Sequence, residues 1–224
     1  ESETIARVFL RPPETYVRNA ADRPGLVLEP TSIPGASRVV SGDTQGLRIQ
    51  DLGSQAVVPF LDLQPGQHFL DLCSAPGNKT AQALETGVDG IASDIHLHRL
   101  RHVAAPKRVV LDATVPLPFP PVFDRILVDA PCTGTGTLAR NPEIRWRIKP
   151  SGITGLQCRQ KSILENALAV LAPGGRLVYS TCSLEREENE EVVASLGARV
   201  LEMHRRTPGI DPGDGFFIAV ITSD

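Results

Sequence analysis

The sequence predicts a doubly wound α/β domain, a mostly parallel sheet with helices on both faces, preceded by a small N-terminal extension. Three observations predict it. From Gln55 onward short apolar runs recur: HFLDL (68–72), GIAS (90–93), RVVLD (108–112), RILVD (125–129), RLVYS (176–180) and FFIAVI (216–221). They are close to continuously apolar, as strands covered on both faces must be. Stretches of helical texture alternate with them, which is the pattern of strand–helix–strand units.

Residues 1–54 are rich in Pro, Gly and Ser, as in RPPETYVRNAADRPG and EPTSIPGASRVVSGDTQG, and read as an irregular extension. Residues 55–224 form the main domain. HFLDL opens its sheet, and the small residues after it make a tight turn into a helix. GIAS, RVVLD and RILVD supply three more strands. In GLQCRQKSILENALAVLAPGG, Leu156, Ile163, Leu164, Ala167, Leu168 and Leu171 fall at near-helical spacing until Pro173-Gly174-Gly175 stops the helix. RLVYS follows. EREENEEVV (185–193) reads as a solvated acidic helix face with no interleaved His, and FFIAVI is the last strand.

Composition excludes several classes. The 224 residues are 41% hydrophobic and 22% charged, ordinary for a soluble globular protein. No apolar run approaches the roughly 18–20 residues a spanning helix needs, and no secretory pattern opens the chain at Glu1. A net charge of −3 and a pI near 6.0 argue against indiscriminate nucleic-acid binding, while leaving room for a local basic groove. Cys73, Cys132, Cys158 and Cys182 show no C-x-x-C spacing, and the five histidines form no metal spacing; His96 and His98 would face opposite ways on a strand. The chain therefore reads as cytoplasmic and monomeric, with no membrane or metal partner. Its reduced cysteines are either packing or chemistry.

The turn in FLDLCSAPGNKT (69–80) suits an anionic or nucleoside ligand, because backbone N–H groups and a helix start would face it. Its residues Cys73, Ser74, Ala75, Pro76, Gly77, Asn78 and Lys79 are candidate cofactor contacts. Without G-x-G-x-x-G, an ordinary strand–helix turn is an equal reading. Asp94, Asp112 and Asp129 sharpen it, since each ends a successive strand. Singly, each is as easily a turn former or helix cap. Together at one switch point they suit a ligand with a ribose diol and positive charge. S-adenosyl-L-methionine fits; a pyrophosphate dinucleotide does not.

Cys132 in RILVDAPC and Cys182 in RLVYSTC both lie just beyond strand ends, where open α/β sheets bind ligands. Adjacent strands lie roughly 5 Å apart, so the two thiols would converge on one cleft. Pro131 ends the ladder, and Gly134 and Gly136 would permit close approach of a substrate. A helix starting near Ser183, with Glu185 in its first turn, would help lower a nearby thiol pKa. Cys158 reads as a small core hydrophobe, and so does the Cys73 side chain.

FLDLCSAPGNKT, DAPCTGTG, NPEIRWR, YSTCS with ENEEVV, and DGFFIAV occur in that order over about residues 45–221. Together they resemble the Sun/Fmu family of RNA 5-methylcytosine methyltransferases. The resemblance implies a class I methyltransferase (Rossmann-like) fold and S-adenosyl-L-methionine as cofactor. It implies Cys182, in the T-C motif, as the nucleophile, and Cys132, in the P-C motif, as a participant in product release. The cofactor loop falls on Cys73 to Lys79, and the cofactor acids on Asp94, Asp112 and Asp129. One departure is visible: the usual A-P-G-G-K is A-P-G-N-K, with Asn78 replacing a glycine.

The chemistry that follows is thiolate attack on cytosine C6, which makes C5 nucleophilic. Asp129 near N3 would stabilise the charge that develops there. The target base must leave its stack, so RNA is the expected partner, rRNA ahead of tRNA. ARNPEIRWRIK (139–149) offers Arg140, Arg145, Trp146, Arg147 and Lys149 to clamp phosphates and stack a base; an amphipathic segment with Trp146 in the core is an equal reading. Arg7, Arg11 and Arg18 make the extension a candidate RNA-contacting appendage. Two rivals remain: a DNA cytosine-5 methyltransferase with Cys132 attacking, and an idle RNA-binding factor that keeps the fold.

Overall fold

The computed structural model describes residues 2–197 and 199–223. The extension expected to be irregular is a small sheet. Helix α1 (Ser2–Val8) precedes β1 (Tyr16–Arg18), β2 (Val27–Pro30), β3 (Ala36–Ser41) and β4 (Arg48–Ile49), which pair antiparallel in the order β2-β3-β1-β4. Strands this short, cut by Pro and Gly turns, carry too few residues for a period of two to be read. Tyr16 and Ala36 of this sheet pack on Leu52 of the main domain.

The main domain begins with α2 (Leu52–Val57) and continues with β5 (His68–Asp71), α3 (Asn78–Leu84), β6 (Asp89–Asp94), α4 (Leu97–Leu100) and β7 (Lys107–Val110). Then follow β8 (Phe123–Asp129), α5 (Ile144–Arg147), α6 (Pro150–Ala169) and β9 (Leu171–Thr181). Finally come α7 (Glu190–Ala194), β10 (Arg199–Arg206) and β11 (Phe216–Thr222). The seven-stranded sheet has the order β10-β11-β9-β8-β5-β6-β7. The five central and right-hand strands β5 to β9 run parallel, while β11 lies antiparallel to β9 and β10 antiparallel to β11.

The strand runs read from sequence are all present, and burial on both faces explains their composition. Ile126 and Val128 of β8 join Leu70, Leu177 and Tyr179 in a cluster on one face, covered by Ile163, Leu164 and Ala167 of α6. Leu127 points the other way and joins Phe69, Val178 and Ile218 beneath Val57 and Ala83 of α2 and α3. Each such side chain contributes about 1.5–3 kcal/mol on burial. Helix α6 starts at Pro150, earlier than its apolar spacing suggests, because Pro suits a first helical turn. It ends at Ala169, and Leu171 already belongs to β9. Edge strand β10 was not legible: its residues are mostly exposed and charged, as edge strands are. No described helix is long and apolar enough to cross a membrane.

Charge fastens the small sheet to the large domain. The Arg18 guanidinium bonds both oxygens of Glu85, at 2.6–3.0 Å, and Arg48 reaches the same carboxylate. On the other side Arg140 donates to Asp51 Oδ2 and to Asp214 Oδ2, each at 2.8 Å, and to the Glu14 carbonyl. Burial, with the Asp51 charge adding to it and Arg140 opposing, pushes the Asp214 carboxyl up to about 6. The folded state thus holds this proton more tightly than the unfolded chain. Stability from it is complete below the ordinary carboxylate range and is lost as pH rises through 6. Replacing Arg140 by Ala leaves two buried carboxylates unpaired and is expected to cost about 2–4 kcal/mol at pH 7, discounted for partial exposure. The loss is smaller at pH 5, where a protonated Asp214 needs no partner; thermal melts of Arg140→Ala at both pH values check this.

Candidate active site

The sheet order reverses between β5 and β8, and the crevice beyond these strands is where open α/β sheets take ligands. A cleft of about 340 Å³ opens there. The loop after β5, the acids ending β6 and β8, the segment after β7 and both loop cysteines line it together.

In the loop, Gly77 adopts φ +108, and a Cβ there would lie 3.0 Å from Val103 Cγ1. Glycine is required at this turn. Asn78, the departure from the usual motif, is instead the first residue of α3 with ordinary helical backbone, and its amide donates to the Ile49 carbonyl. Lys79 turns toward β8: its Nζ donates to Asp129 Oδ2 at 2.7 Å and lies 4.8 Å from the Phe216 ring centre. Asp129 Oδ1 accepts from Ser180 Oγ at 2.8 Å. Asp129 therefore faces the cleft as half of a carboxylate–ammonium pair, where the sequence suggested a lone acid.

Asp94 takes the His96 N–H on Oδ1 at 2.8 Å, and Asp112 takes the N–H and hydroxyl of Thr114 on Oδ1. The second oxygen of each has no hydrogen-bond partner among the described residues. Those two bonds from Thr114 hold the Asp112 carboxyl below its usual range. His96 and His98 do not alternate on a strand; they flank the start of α4, rings edge-on at 5.5 Å. Asp71, unremarked in the sequence, is fully buried with Oδ2 on Thr80 Oγ1 and Oδ1 unpartnered. Burial pushes it up to about 7.

The thiols meet as expected. Parallel pairing sets Asp129 opposite Ser180, the Ala130 N–H binds the Ser180 carbonyl, and the chains then bring Cys132 Sγ to 3.4 Å from Cys182 Sγ. Sharing this contact with Cys182, and burial, push the Cys132 thiol well up. Gly136 serves the chain's own packing, not an approaching substrate. Its N–H binds the Cys182 carbonyl at 2.8 Å, and a Cβ would meet the Gly215 carbonyl at 2.5 Å. Burial, then Asp71, Asp129 and Asp94, push the Cys73 thiol up. Cys158 is exposed, not core, because it lies off the stripe that α6 buries at 160, 163, 164 and 167.

No helix begins at Ser183. Its hydroxyl accepts the Glu185 N–H, but one tight turn over Arg186–Glu188 intervenes and α7 starts only at Glu190. The geometry therefore offers Cys182 no helix end. The break has a cause: Glu188 and Asn189, expected on a solvated face, are wholly buried and bonded inward. Nothing in a run of five acids marks which one turns in. Gln160 had a signal, since it precedes Ile163, Leu164 and Ala167 by helical spacing and shares their buried face. Arg159, Arg99 and Ile95 also line the cleft and carry no motif.

The basic segment divides. Arg140 is spent on Asp51 and Asp214 and is not available to phosphate, which corrects its assignment as an RNA contact. Arg18 is likewise committed to Glu85, and Arg7 pairs with Glu3. Trp146 is 78% exposed, against the core reading, with the Arg145 guanidinium 5.2 Å from its ring centre. Arg147 and Lys149 beside it are exposed. Ile144 of the same short helix lies against Gly134, close to Cys182.

A family model described as 16S rRNA methyltransferase RsmB/F matches residues 58–205. Ribosomal RNA small subunit methyltransferase B of Enterobacter sp. (strain 638) is 36% identical over 216 residues, covering 85% of this chain and 50% of its own. The chain thus spans about half the length of the curated relatives it matches. Among solved structures, a methyltransferase homolog protein from Pyrococcus horikoshii aligns with TM-score 0.78 at 25% identity, covering 98% of this chain and 90% of its own. NSun6 from the same organism, solved with SFG, aligns with TM-score 0.72 at 26% identity, covering 86% and 62%. The matched span includes the cofactor loop, all three strand-end acids and both loop cysteines, and the chain belongs to the RsmB/F family of 16S rRNA methyltransferases.

Proposed function

We propose that this chain is the catalytic core of an S-adenosylmethionine-dependent RNA (cytosine-5) methyltransferase acting on rRNA, with Cys182 as its nucleophile. The observation that carries the reading is the pair of sulfurs 3.4 Å apart, opening on the same cleft as Asp94, Asp112 and Asp129. Membership of a family described by 16S rRNA methylation supports the substrate class. Residues 55–224 carry the chemistry, and residues 1–54 support it.

The cleft fits S-adenosylmethionine. Asp94 has an oxygen to spare for ribose hydroxyls, and Ile95, Leu111 and Ala113 offer apolar walls to a purine. Carboxylates in the lining suit a cationic ligand, and of the loop from Cys73 to Lys79 it is Cys73 and Ala75 that border the cleft. A relative solved with SFG, an analogue of this cofactor, supports the assignment. When bound, S-adenosylmethionine supplies a methyl group on a sulfonium, ready for transfer to a carbon nucleophile.

Cytosine C5 becomes such a nucleophile only after a thiolate adds to C6. Cys182 Sγ forms that bond. Asp129, held by Lys79 and Ser180, lies on the cleft, and a water bridging it to the N3 edge would donate the hydrogen bond that offsets the charge spreading toward N3 and O2. Solvent water takes the C5 proton, the C5–H electron pair re-forms the C5–C6 double bond, and the C6–S pair departs with Cys182 as its thiolate. Cys132, 3.4 Å away, is placed to serve this release. Trp146, Arg145 and Arg147 provide a stacking face and cations for an unstacked strand.

Labelled methyl transfer from S-adenosylmethionine to separated rRNA and tRNA, followed by nucleoside analysis, tests this. Wild type is expected to make 5-methylcytidine in rRNA, Cys182→Ala none, and Cys132→Ala a stalled protein–RNA adduct. Adducts in Cys182→Ala but not in Cys132→Ala would reverse the roles. Label in tRNA alone would change the substrate, and cofactor binding with no methylated pool would favour an idle RNA-binding core. A second expectation concerns the exposed ring: Trp146→Ala weakens RNA binding by about 1–3 kcal/mol while cofactor affinity stays unchanged, as filter binding and calorimetry would register.

A further inference from the structure

We propose that Glu188 is a positioning residue for the two-thiol site, its buried carboxylate fastening the loop that carries Cys132 to the loop that carries Cys182. The inference rests on the reading above that these thiols react. Glu188 is wholly buried, and its carboxylate accepts hydrogen bonds from three separate segments. The Thr133 N–H reaches it at 3.0 and 3.2 Å, and the Thr133 hydroxyl also donates. Ser183 Oγ donates at 2.6 Å and Gln160 Nε2 at 3.0 Å. Thr133 follows Cys132 and Ser183 follows Cys182, so one carboxylate grips the chain next to each sulfur.

The grip is itself pinned. Gln160 donates to the Pro131 carbonyl at 2.9 Å as well, tying α6 to the residue before Cys132. The Tyr179 hydroxyl donates to the Glu188 carbonyl at 2.6 Å, and Asn189 Nδ2 donates to the Ser183 carbonyl at 3.0 Å. Four donors converging on one buried point require a group that only accepts, and among side chains that is a carboxylate. Glutamine has the same shape but would turn an N–H₂ toward other donors. Glu188 does not line the cleft, so it acts through Cys132 and Cys182 and not on substrate. Its value lies in the sulfur separation, because a misplacement of about 1 Å at reacting atoms can cost 100-fold in rate.

The test uses Glu188→Gln, Glu188→Ala and Thr133→Val, with the exposed Glu187→Gln as control, all in a Cys158→Ala background that removes the surface thiol. One readout needs no RNA. Diamide takes two electrons and two protons from Cys132 and Cys182, becoming its hydrazine, and the S–S bond forms; mass spectrometry follows the rate. Closure is expected to slow about 10-fold or more in both Glu188 variants, less in Thr133→Val, and not at all in Glu187→Gln. The second readout is methyl transfer, with kcat expected to fall about 100-fold in Glu188→Gln while KM for RNA and S-adenosylmethionine affinity stay within about twofold. Unchanged closure or unchanged kcat in Glu188→Gln overturns the proposal, and so does an equal loss of cofactor binding, which would make Glu188 a folding residue only. If the reference protein methylates no RNA, the proposed function fails on its own, and the order of closure rates alone then upholds or overturns the role of Glu188.

Discussion

The site depends on the parallel pairing of β8 with β9. Each strand ends in a loop that bears a cysteine, and the register that sets Asp129 opposite Ser180 makes those loops neighbours. Shifting the register by one residue would turn every inward side chain outward, which the core on both faces forbids. Ile126 and Val128 on one face and Leu127 on the other are all fully buried, so the hydrophobic pattern that stabilises the sheet also sets the separation of the sulfurs. Packing and chemistry are here the same constraint. The switch between β5 and β8 then opens the cleft directly beside the pair.

Asp94, Asp112 and Asp129 line that cleft together with Arg99 and Arg159, and the acids in and beneath it are held unevenly. Asp71 is buried and shifted up to about 7, Asp112 is held down by Thr114, and Asp129 is matched by Lys79. Around the loop after β5, Asp71, Asp129 and Asp94 set a local negative field. It acts on the cysteines too: Cys73, beside three of these acids, is held as a thiol. Lys79 offsets Asp129, and its ammonium lies over the Phe216 ring. Its position in the cofactor loop joins cofactor side and substrate side through one ion pair.

Much of this was legible in the sequence, and what was not has a physical reason. Strands buried on both faces are long apolar runs, and acids or cysteines at their ends stand out against such runs. The four-stranded N-terminal sheet did not stand out, because strands of two to six residues show no period. Arg140 and Arg147 look alike in a basic segment, yet one is buried between two carboxylates from distant positions and the other is exposed. Sequence shows charge but not its partner when the partner is 74 residues away, as Asp214 is from Arg140. Glu188 is the same case with the opposite sign: an acid in an acidic run whose donors arrive from the two cysteine loops and from α6.

Arg140 also shows how the extension is tied to the site. The guanidinium joins Asp51, at the end of the extension, to Asp214. The next residue, Gly215, donates its N–H to the Gly136 carbonyl, and Gly136 in turn donates to the carbonyl of Cys182. A continuous set of hydrogen bonds therefore runs from Asp51 to the backbone of the loop that carries Cys182. The contact at Gly136 is so close that no side chain fits there, so the loops on this side are held as tightly as those that Glu188 grips on the other. Cys182 is thus braced from two directions, by a buried carboxylate and by backbone against backbone. In the proposed reaction Cys182 adds to one carbon and later leaves it, and for that a fixed line of approach matters. Among the described residues no helix end stands behind Cys182; the fold supplies its position, with the partner thiol 3.4 Å away.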